Sequence, residues 1–310
     1  MSTYLVTGGA GFIGSHVCDR LLAEGHRVIA LDDLSSGSLE NIAEARAYGS
    51  RFTFYSLDVR TDGLADLFAR QKPEVVLHLA ARGEPAQPSA AVAEAKVGVI
   101  GLLSVLEASV QCGARKVVFA SSAIVYGRAR KLPIKEATLP ESKPLTPAAI
   151  SKKLAEDYLR FYRRTRELDF TSVVLPNVYG PRRAVPGSAV LSLALPMMSG
   201  AKPEVAGDGE QTRDFLFIDD AVNALSLALD QGSGHTINVG TGVETSVNRL
   251  VQILAGMTRF RAKPTHVGSR PFDIHRSALD DALAERALGW KPWTHLEDGL
   301  RETVAYLQSA

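Results

Sequence analysis

Thr7-Gly8-Gly9-Ala10-Gly11-Phe12-Ile13-Gly14 follows a first apolar run, Tyr4-Leu5-Val6, that is rich in strand formers. Ser15 to Gly25 then reads as an amphipathic helix stopped by glycine. The glycines therefore fall on a strand–turn–helix junction, the context that a dinucleotide fingerprint requires. Gly9, Gly11 and Gly14 fit G-x-G-x-x-G, and Gly8, Gly11 and Gly14 also fit G-x-x-G-x-x-G. Glycines let the backbone approach a pyrophosphate, and the helix N-terminus offers it free N–H groups and partial positive charge. Val28-Ile29-Ala30-Leu31 reads as a second strand closed by Asp32-Asp33. A carboxylate at that position accepts both ribose hydroxyls and repels a 2′-phosphate, which favours NAD over NADP.

Working outward, strands are expected at 3–7, 27–31, 52–55, 74–79, 116–120 and 171–176, with helices at 12–24, 61–71, 90–112 and 148–168. Such alternation predicts an α/β fold: a Rossmann-type doubly wound parallel sheet. Val117-Val118-Phe119-Ala120 is apolar throughout, as a strand buried on both faces should be. After Pro181 the pattern breaks up around Pro186, Pro196, Pro203 and the glycines at 200, 207 and 209. Phe215 to Ile218 and Thr236 to Val239 read as strands returning to the sheet, and the last seventy residues as short helices and loops. The expected organisation is a dinucleotide-binding domain over 1–180 plus 209–242, with a smaller C-terminal α/β lobe over 181–208 plus 243–310.

A net charge of +1 argues against nucleic acid or an acidic membrane as the main partner, and the Arg160, Arg163, Arg164, Arg166 run reads as a solvated helix face. Two cysteines, Cys18 and Cys112, point to a reducing compartment, and no leader or membrane-spanning run is read, so a cytoplasmic protein is expected. The histidines show no metal-ligand spacing, and His78 reads as a packed histidine.

Further motifs accumulate: His78-Leu79-Ala80-Ala81, Phe119-Ala120-Ser121-Ser122-Ala123-Ile124-Val125-Tyr126-Gly127, Asn177-Val178-Tyr179-Gly180-Pro181, and Gly207-Asp208-Gly209-Glu210-Gln211-Thr212-Arg213-Asp214-Phe215 with Asp219-Asp220 beyond it. As a set, these make the chain resemble the extended short-chain dehydrogenase/reductase family, and within it the NAD-dependent nucleotide-sugar epimerases of the UDP-glucose 4-epimerase type. The resemblance implies NAD held by Gly8, Gly11, Phe12, Ile13, Gly14 and Asp32. It assigns Asp58-Val59 to the adenine, where the alternative for Asp58 is a helix cap for 61–71. Leu79, Ala80, Ala81 and Ser121 fall at the nicotinamide end, and Lys152 at the nicotinamide ribose. It implies a UDP-sugar substrate, hexose or hexuronate. Ser122 meets the oxygen being oxidised, Asn177, Arg213 and Arg270 hold the diphosphate, and Asp273 meets the nucleoside ribose. For Asn177 the rival reading is a buried amide satisfying backbone.

The family's Tyr-x-x-x-Lys signature is broken. In Pro147-Ala148-Ala149-Ile150-Ser151-Lys152, counting back four from Lys152 gives Ala148. The missing tyrosine is the general base that takes the hydroxyl proton, worth roughly 10²–10⁴-fold in rate. Three explanations stay open: a tyrosine-to-alanine variant, an enzyme using another base such as Tyr126 or Lys152, and a non-catalytic protein that binds NAD or a UDP-sugar. Gly98 also departs from the family, which often has asparagine there, and Arg82 to Pro88 replaces the usual loop; Arg82 is read either toward a charged sugar or toward solvent. A dehydratase of the family carries an Asp-Glu pair where this chain has Ala123-Ile124, and a decarboxylase a glutamate at Ile124. NADPH-dependent reductases want a base near Asp32-Asp33. What remains is oxidation at C4, rotation of the 4-keto sugar and return of the hydride. Apolar stripes with Val97, Ile100, Leu103 and Leu106 on one helix, and Leu154, Tyr158, Phe161 and Tyr162 on another, predict core packing and, by resemblance, a two-fold homodimer.

Overall fold

The structure, a computed structural model, describes residues 1–82, 90–182, 188–270 and 272–309. Its strands are β1 (Thr3–Thr7), β2 (Arg27–Asp32), β3 (Phe52–Ser56), β4 (Val75–His78), β5 (Lys116–Ser122), β6 (Asp169–Leu175), β7 (Asn177–Tyr179), β8 (Glu204–Ala206), β9 (Thr212–Arg213), β10 (Phe215–Phe217), β11 (Thr236–Asn238), β12 (Thr245–Ser246) and β13 (Thr265–Val267). Its α-helices are α1 (Phe12–Ala23), α2 (Ala43–Arg46), α3 (Leu64–Gln71), α4 (Ala91–Ala95), α5 (Leu102–Cys112), α6 (Pro147–Arg166), α7 (Ala189–Met198), α8 (Ile218–Leu227), α9 (Val247–Thr258), α10 (Ala282–Leu288) and α11 (Leu296–Ser309).

Seven strands form one sheet in the order β11-β6-β5-β4-β1-β2-β3, with every pair parallel. The order reverses between β1 and β4. That switch point opens a crevice at the carboxyl ends of the strands, where ligands of doubly wound sheets bind. Successive β1 residues divide between the faces: Leu5 packs with α3, α5 and α6, and Tyr4 and Val6 pack with α1 and α8. Both faces are dry, which explains the nearly continuous apolar strands. The α1/α8 core runs on without a break into α7, α9 and α11 through Leu193, Leu254 and Leu300.

All six expected strands are present within two residues of their expected ends, and Thr236–Asn238 joins the sheet as anticipated. Phe215–Phe217 does not. It pairs in parallel with β7, which follows β6 past its carboxyl end, in a separate two-stranded ribbon. The expected helix over 61–71 starts at Leu64; Thr61 is taken up by a turn on Asp58, whose Oδ1 accepts from the Arg60 amide at 2.9 Å. Asp58 therefore caps its own turn, and the helix cap is Gly63. The expected helix over 90–112 is split by a wide π turn at Lys96–Gly101. Its glycines permit close packing against neighbouring segments: a Cβ on Gly98 would lie 2.9 Å from the Ser151 Cβ, and one on Gly101 2.8 Å from Val59 Cγ2. The C-terminal region holds helices of 12 and 14 residues, longer than expected.

Candidate active site

The fingerprint forms a cradle in which side chains have no room. A Cβ on Gly14 would sit 2.0 Å from the Gly8 carbonyl oxygen, and one on Gly9 2.7 Å from the Ala30 Cβ. Gly8 itself lies at φ +69, hard against the Leu79–Ala80 backbone. α1 starts at Gly11 with no side chain capping its first amides, which leaves them for an anion. Phe12 is buried beneath this turn and Ile13 packs partly against the same core.

Asp32 closes β2 as expected. Its carboxylate accepts from Ala10 N at 3.0 Å and Leu34 N at 2.8 Å, and burial pushes its pKa up while those amides pull it back. A Cβ on Gly37 would meet both carboxylate oxygens within 3 Å, so the loop folds over Asp32 only because that residue is glycine. On the other side of the crevice, Thr7 Oγ1 accepts from the Leu79 and Ala80 amides at 3.2 Å each. That leaves its proton for His78 Nδ1, 2.8 Å away. His78 is the packed histidine foreseen: fully buried, stacked on Phe119, and held neutral by burial with its pKa pulled down to about 3. Asp58 pairs with Arg60, which holds its carboxyl below the usual range, and Val59 is buried beside it. Uncapped amides, a side-chain-free cradle and a terminal carboxylate together fit a dinucleotide.

α6 begins at Thr146, whose hydroxyl accepts from Ala149 N at 3.3 Å, with Pro147 in the first turn. Ala148 is the next residue, half-buried, one helical turn before Lys152 and on the same face. Lys152 Nζ donates to the Ala120 carbonyl at 2.7 Å and lies 5.2 Å from the centre of the Phe119 ring. Burial pulls its pKa down to about 8, against the pull of Glu156 and Glu94. Ser122 ends β5 in extended backbone and starts a short helical turn without using its hydroxyl as a cap. Ser121 beside it is buried; its hydroxyl has no bonded partner at full geometry but lies close enough to favour the Glu156 carboxylate. Tyr126 is overturned as a replacement base: it is buried, its hydroxyl donates to Asn238 Oδ1 at 2.6 Å, and burial raises its pKa further.

The remaining positions gather on the other lip. Arg213 donates to the carbonyls of Thr212 at 2.7 Å and Ile274 at 2.6 Å, and to Asp273 Oδ1 at 2.5 Å. Two expected substrate residues sixty positions apart are thus one ion pair. Asp273 N reaches back to the Arg270 carbonyl at 3.4 Å, and the Arg270 side chain is exposed; Pro271 between them lies outside the described residues. Asn177 is exposed, which removes the reading of a buried amide. Its backbone N–H donates to the carbonyl of Asp214. Sequence reasoning missed Asp214, whose buried carboxylate collects Thr241 N, Thr241 Oγ1, Gly242 N and Leu279 N and so ties the segments behind Arg213 together. Arg82 turns out to face Glu94, 3.9 Å away, and the rest of its loop, 83–88, lies outside the described residues. Among the described residues no group of His, Cys, Asp and Glu has the geometry of a metal site.

A cradle at one strand end and a Lys-bearing helix across the crevice is a pairing shared by many proteins. Residues 4–240 match the NAD dependent epimerase/dehydratase family. The chain belongs to that family. NAD is accordingly its cofactor. The chain is similar to the UDP-glucose 4-epimerase of Mycolicibacterium smegmatis, at 40% identity over 98% of both chains. It is also similar to the dTDP-glucose 4,6-dehydratase of Neisseria gonorrhoeae, at 31% identity over 97% of this chain and 94% of that one. Among solved structures it superposes on the Thermotoga maritima UDP-glucose 4-epimerase with UDP-glucose, with a TM-score of 0.92, 35% identity and 99% of each chain covered. It is thus an enzyme of the epimerase/dehydratase type.

Proposed function

We propose that this chain is built for NAD-dependent 4-epimerisation of a UDP-hexose or UDP-hexuronate through a transient 4-keto sugar, and that Ala148 slows that reaction by removing the proton acceptor. The observation that carries this reading is local. Thr146, Pro147, Lys152 and Ser122 hold the frame of a Tyr-x-x-x-Lys site around a residue with no functional group.

In this reading NAD, when bound, supplies reversible hydride acceptance. Lys152 holds the nicotinamide ribose and places positive charge beside position 148. Ser122 orients the sugar oxygen, and Leu79, Ala80, Ala81 and Ser121 line the nicotinamide end. Asp58 and Val59 meet the adenine. Arg213, pre-set by Asp273, holds the diphosphate with Asn177 and Arg270, and Asp273 also faces the nucleoside ribose. At pH 7 a lysine with its pKa near 8 remains mostly ammonium and accepts no proton. Any residual turnover is therefore expected to rise with pH through that range. Dehydration is the weaker reading, because Ala123 and Ile124 offer no acid to a leaving hydroxyl.

The division into 1–180 plus 209–242 and 181–208 plus 243–310 follows the same assignment, cofactor in the first part and sugar nucleotide closed over by the second. A homodimer is supported by one exposed apolar face: Ile150, Leu154 and Phe161 on α6, at 54%, 41% and 47% exposed, with Ile100 beside α5. Light scattering at micromolar concentration should report a dimer. Cys18 and Cys112 are free, which supports the cytoplasm, and among the described residues no helix is long and apolar enough to cross a membrane.

The deciding experiment is Ala148→Tyr, assayed by chromatography on UDP-glucose, UDP-N-acetylglucosamine and UDP-glucuronate separately. The expected gain in 4-epimerisation is about 10²–10⁴-fold. A chain that binds NAD after this change and converts none of the three overturns the epimerase reading and favours a non-catalytic binding protein.

A further inference from the structure

The mostly apolar face of the sheet under α6 carries a row of polar side chains. Strand register aligns Thr7 with His78, His78 with Phe119, Phe119 with Ser172, and Ser172 with Thr236, across β1, β4, β5, β6 and β11. Side chains aligned in a parallel sheet share a face, so this is a single polar belt, interrupted only by the Phe119 ring. Above it α6 lays down two ionisable groups one helical turn apart. Lys152 sits over Phe119, and Glu156 sits over the next two strands.

Glu156 is almost wholly buried, at 1% exposed. Its two oxygens accept one hydroxyl each: Oε1 from Ser172 and Oε2 from Thr236, both at 2.5 Å. Because Ser172 and Thr236 are register partners on adjacent strands, one carboxylate spans both, and the helix is pinned to the sheet in rotation and in height. Burial raises the pKa of this carboxyl, and the hydroxyl donors pull it back toward the charged form. Among the described residues the cation paired with it is Arg160, at 4.0 Å and half exposed, which water screens. Among the described residues, the other charged or titratable groups facing Lys152 are Glu94 from α4, which also faces Arg82, and neutral His78 from β4; Tyr126 faces Glu156 from below.

We propose that Glu156 is a positioning residue for Lys152: held by Ser172 and Thr236, it supplies the buried counter-charge that keeps Lys152 an ammonium and fixes the turn of α6 carrying positions 148 and 152. Burial alone disfavours an ammonium, and a carboxylate one helical turn away restores it. Only the kinetic consequence rests on the epimerase reading; the charge relation does not.

The test is the titration of Lys152 itself, followed by NMR of lysine-labelled protein with the signal assigned by its loss in Lys152→Arg. Glu156→Gln keeps the shape and removes the charge, and should move the Lys152 titration to lower pH with a roughly tenfold larger acid dissociation constant. Glu156→Asp should restore most of the difference. Thr236→Val, which removes one hydroxyl, should move it the same way by less. A folded Glu156→Gln chain whose Lys152 titrates as before overturns the proposal. If that chain does not fold, an unmoved Lys152 in Thr236→Val overturns it. In the Ala148→Tyr background Glu156→Gln should lower kcat while leaving KM for the sugar nucleotide nearly unchanged. If that background makes no product, the epimerase reading has failed while the titration still answers for Glu156.

Discussion

The first turns of α1 and α6 stand on opposite sides of the crevice and solve the problem of a helix N-terminus in opposite ways. α1 opens at Gly11 with its amides uncapped, in a cradle where Gly8, Gly9 and Gly14 leave no room for side chains. α6 satisfies its first amides internally, through the Thr146 hydroxyl and a proline that has no N–H to satisfy. On the proposed reading, function at α1 resides in backbone and is lost when a side chain is added, whereas function at α6 resides in what positions 148 and 152 present. On that reading Ala148 withholds a side chain and leaves the frame around it standing.

The largest effect that would break this contrast is on the α1 side. Gly14→Ala places a Cβ 2.0 Å from the Gly8 carbonyl, with backbone on both sides and nothing flexible to yield. We expect NAD affinity, by calorimetry, to fall roughly a hundredfold and stability by about 3 kcal/mol. Unchanged NAD binding would mean that the cradle is not where the pyrophosphate lies.

A middle-sized effect falls between the two helices, at His78, which bonds Thr7 below the cradle and faces Lys152 on the other side. Its folded pKa of about 3 lies below that of the unfolded chain, so on acidification the unfolded chain takes up the proton first. This contribution is complete above about pH 6.5 and is lost as pH falls toward 3, by about 2 kcal/mol at pH 5. Buried carboxyls such as Asp214 and Glu156, with raised pKa values, act in the reverse sense. The difference in denaturant midpoint between the chain with His78 and His78→Gln across pH 5–7.5 isolates the histidine, and a pH-independent difference would contradict it.

The smallest effect sharpens the α6 side. Thr146→Ala removes a cap and should cost about 1 kcal/mol in thermal unfolding, with NAD affinity unchanged within about twofold. A large loss of NAD affinity would show that the end of α6 also serves the cofactor through its backbone.

What could be read in the chain divides along the same line. Strands β1 to β6 and the cradle are local: apolar runs, glycines and a closing acid lie within a few residues of one another. Ala148 was legible for the same reason, as a gap in a five-residue spacing. Glu156 was not, because at i+4 from Lys152 and i−4 from Arg160 it looks like any solvated helix acid; only the register of β6 with β11 shows it buried. The Arg213–Asp273 pair and the Asp214 knot depend on segments far apart in sequence. The pairing of Phe215–Phe217 is set by where β7 leaves the sheet, and no alternation within three apolar residues announces it. The π turn at Lys96–Gly101 is too short for its wider period to be told from an ordinary helix.

That turn constrains how this chain can change. Gly98 and the Ser151 Cβ share a space that admits one of them, and Ser151 stands next to Lys152. A side chain at 98 requires something to shift, and outward movement of α6 would carry Lys152 away from Ala120. The two positions are therefore coupled: bulk added at 98 is felt through Ser151 at the neighbouring Lys152.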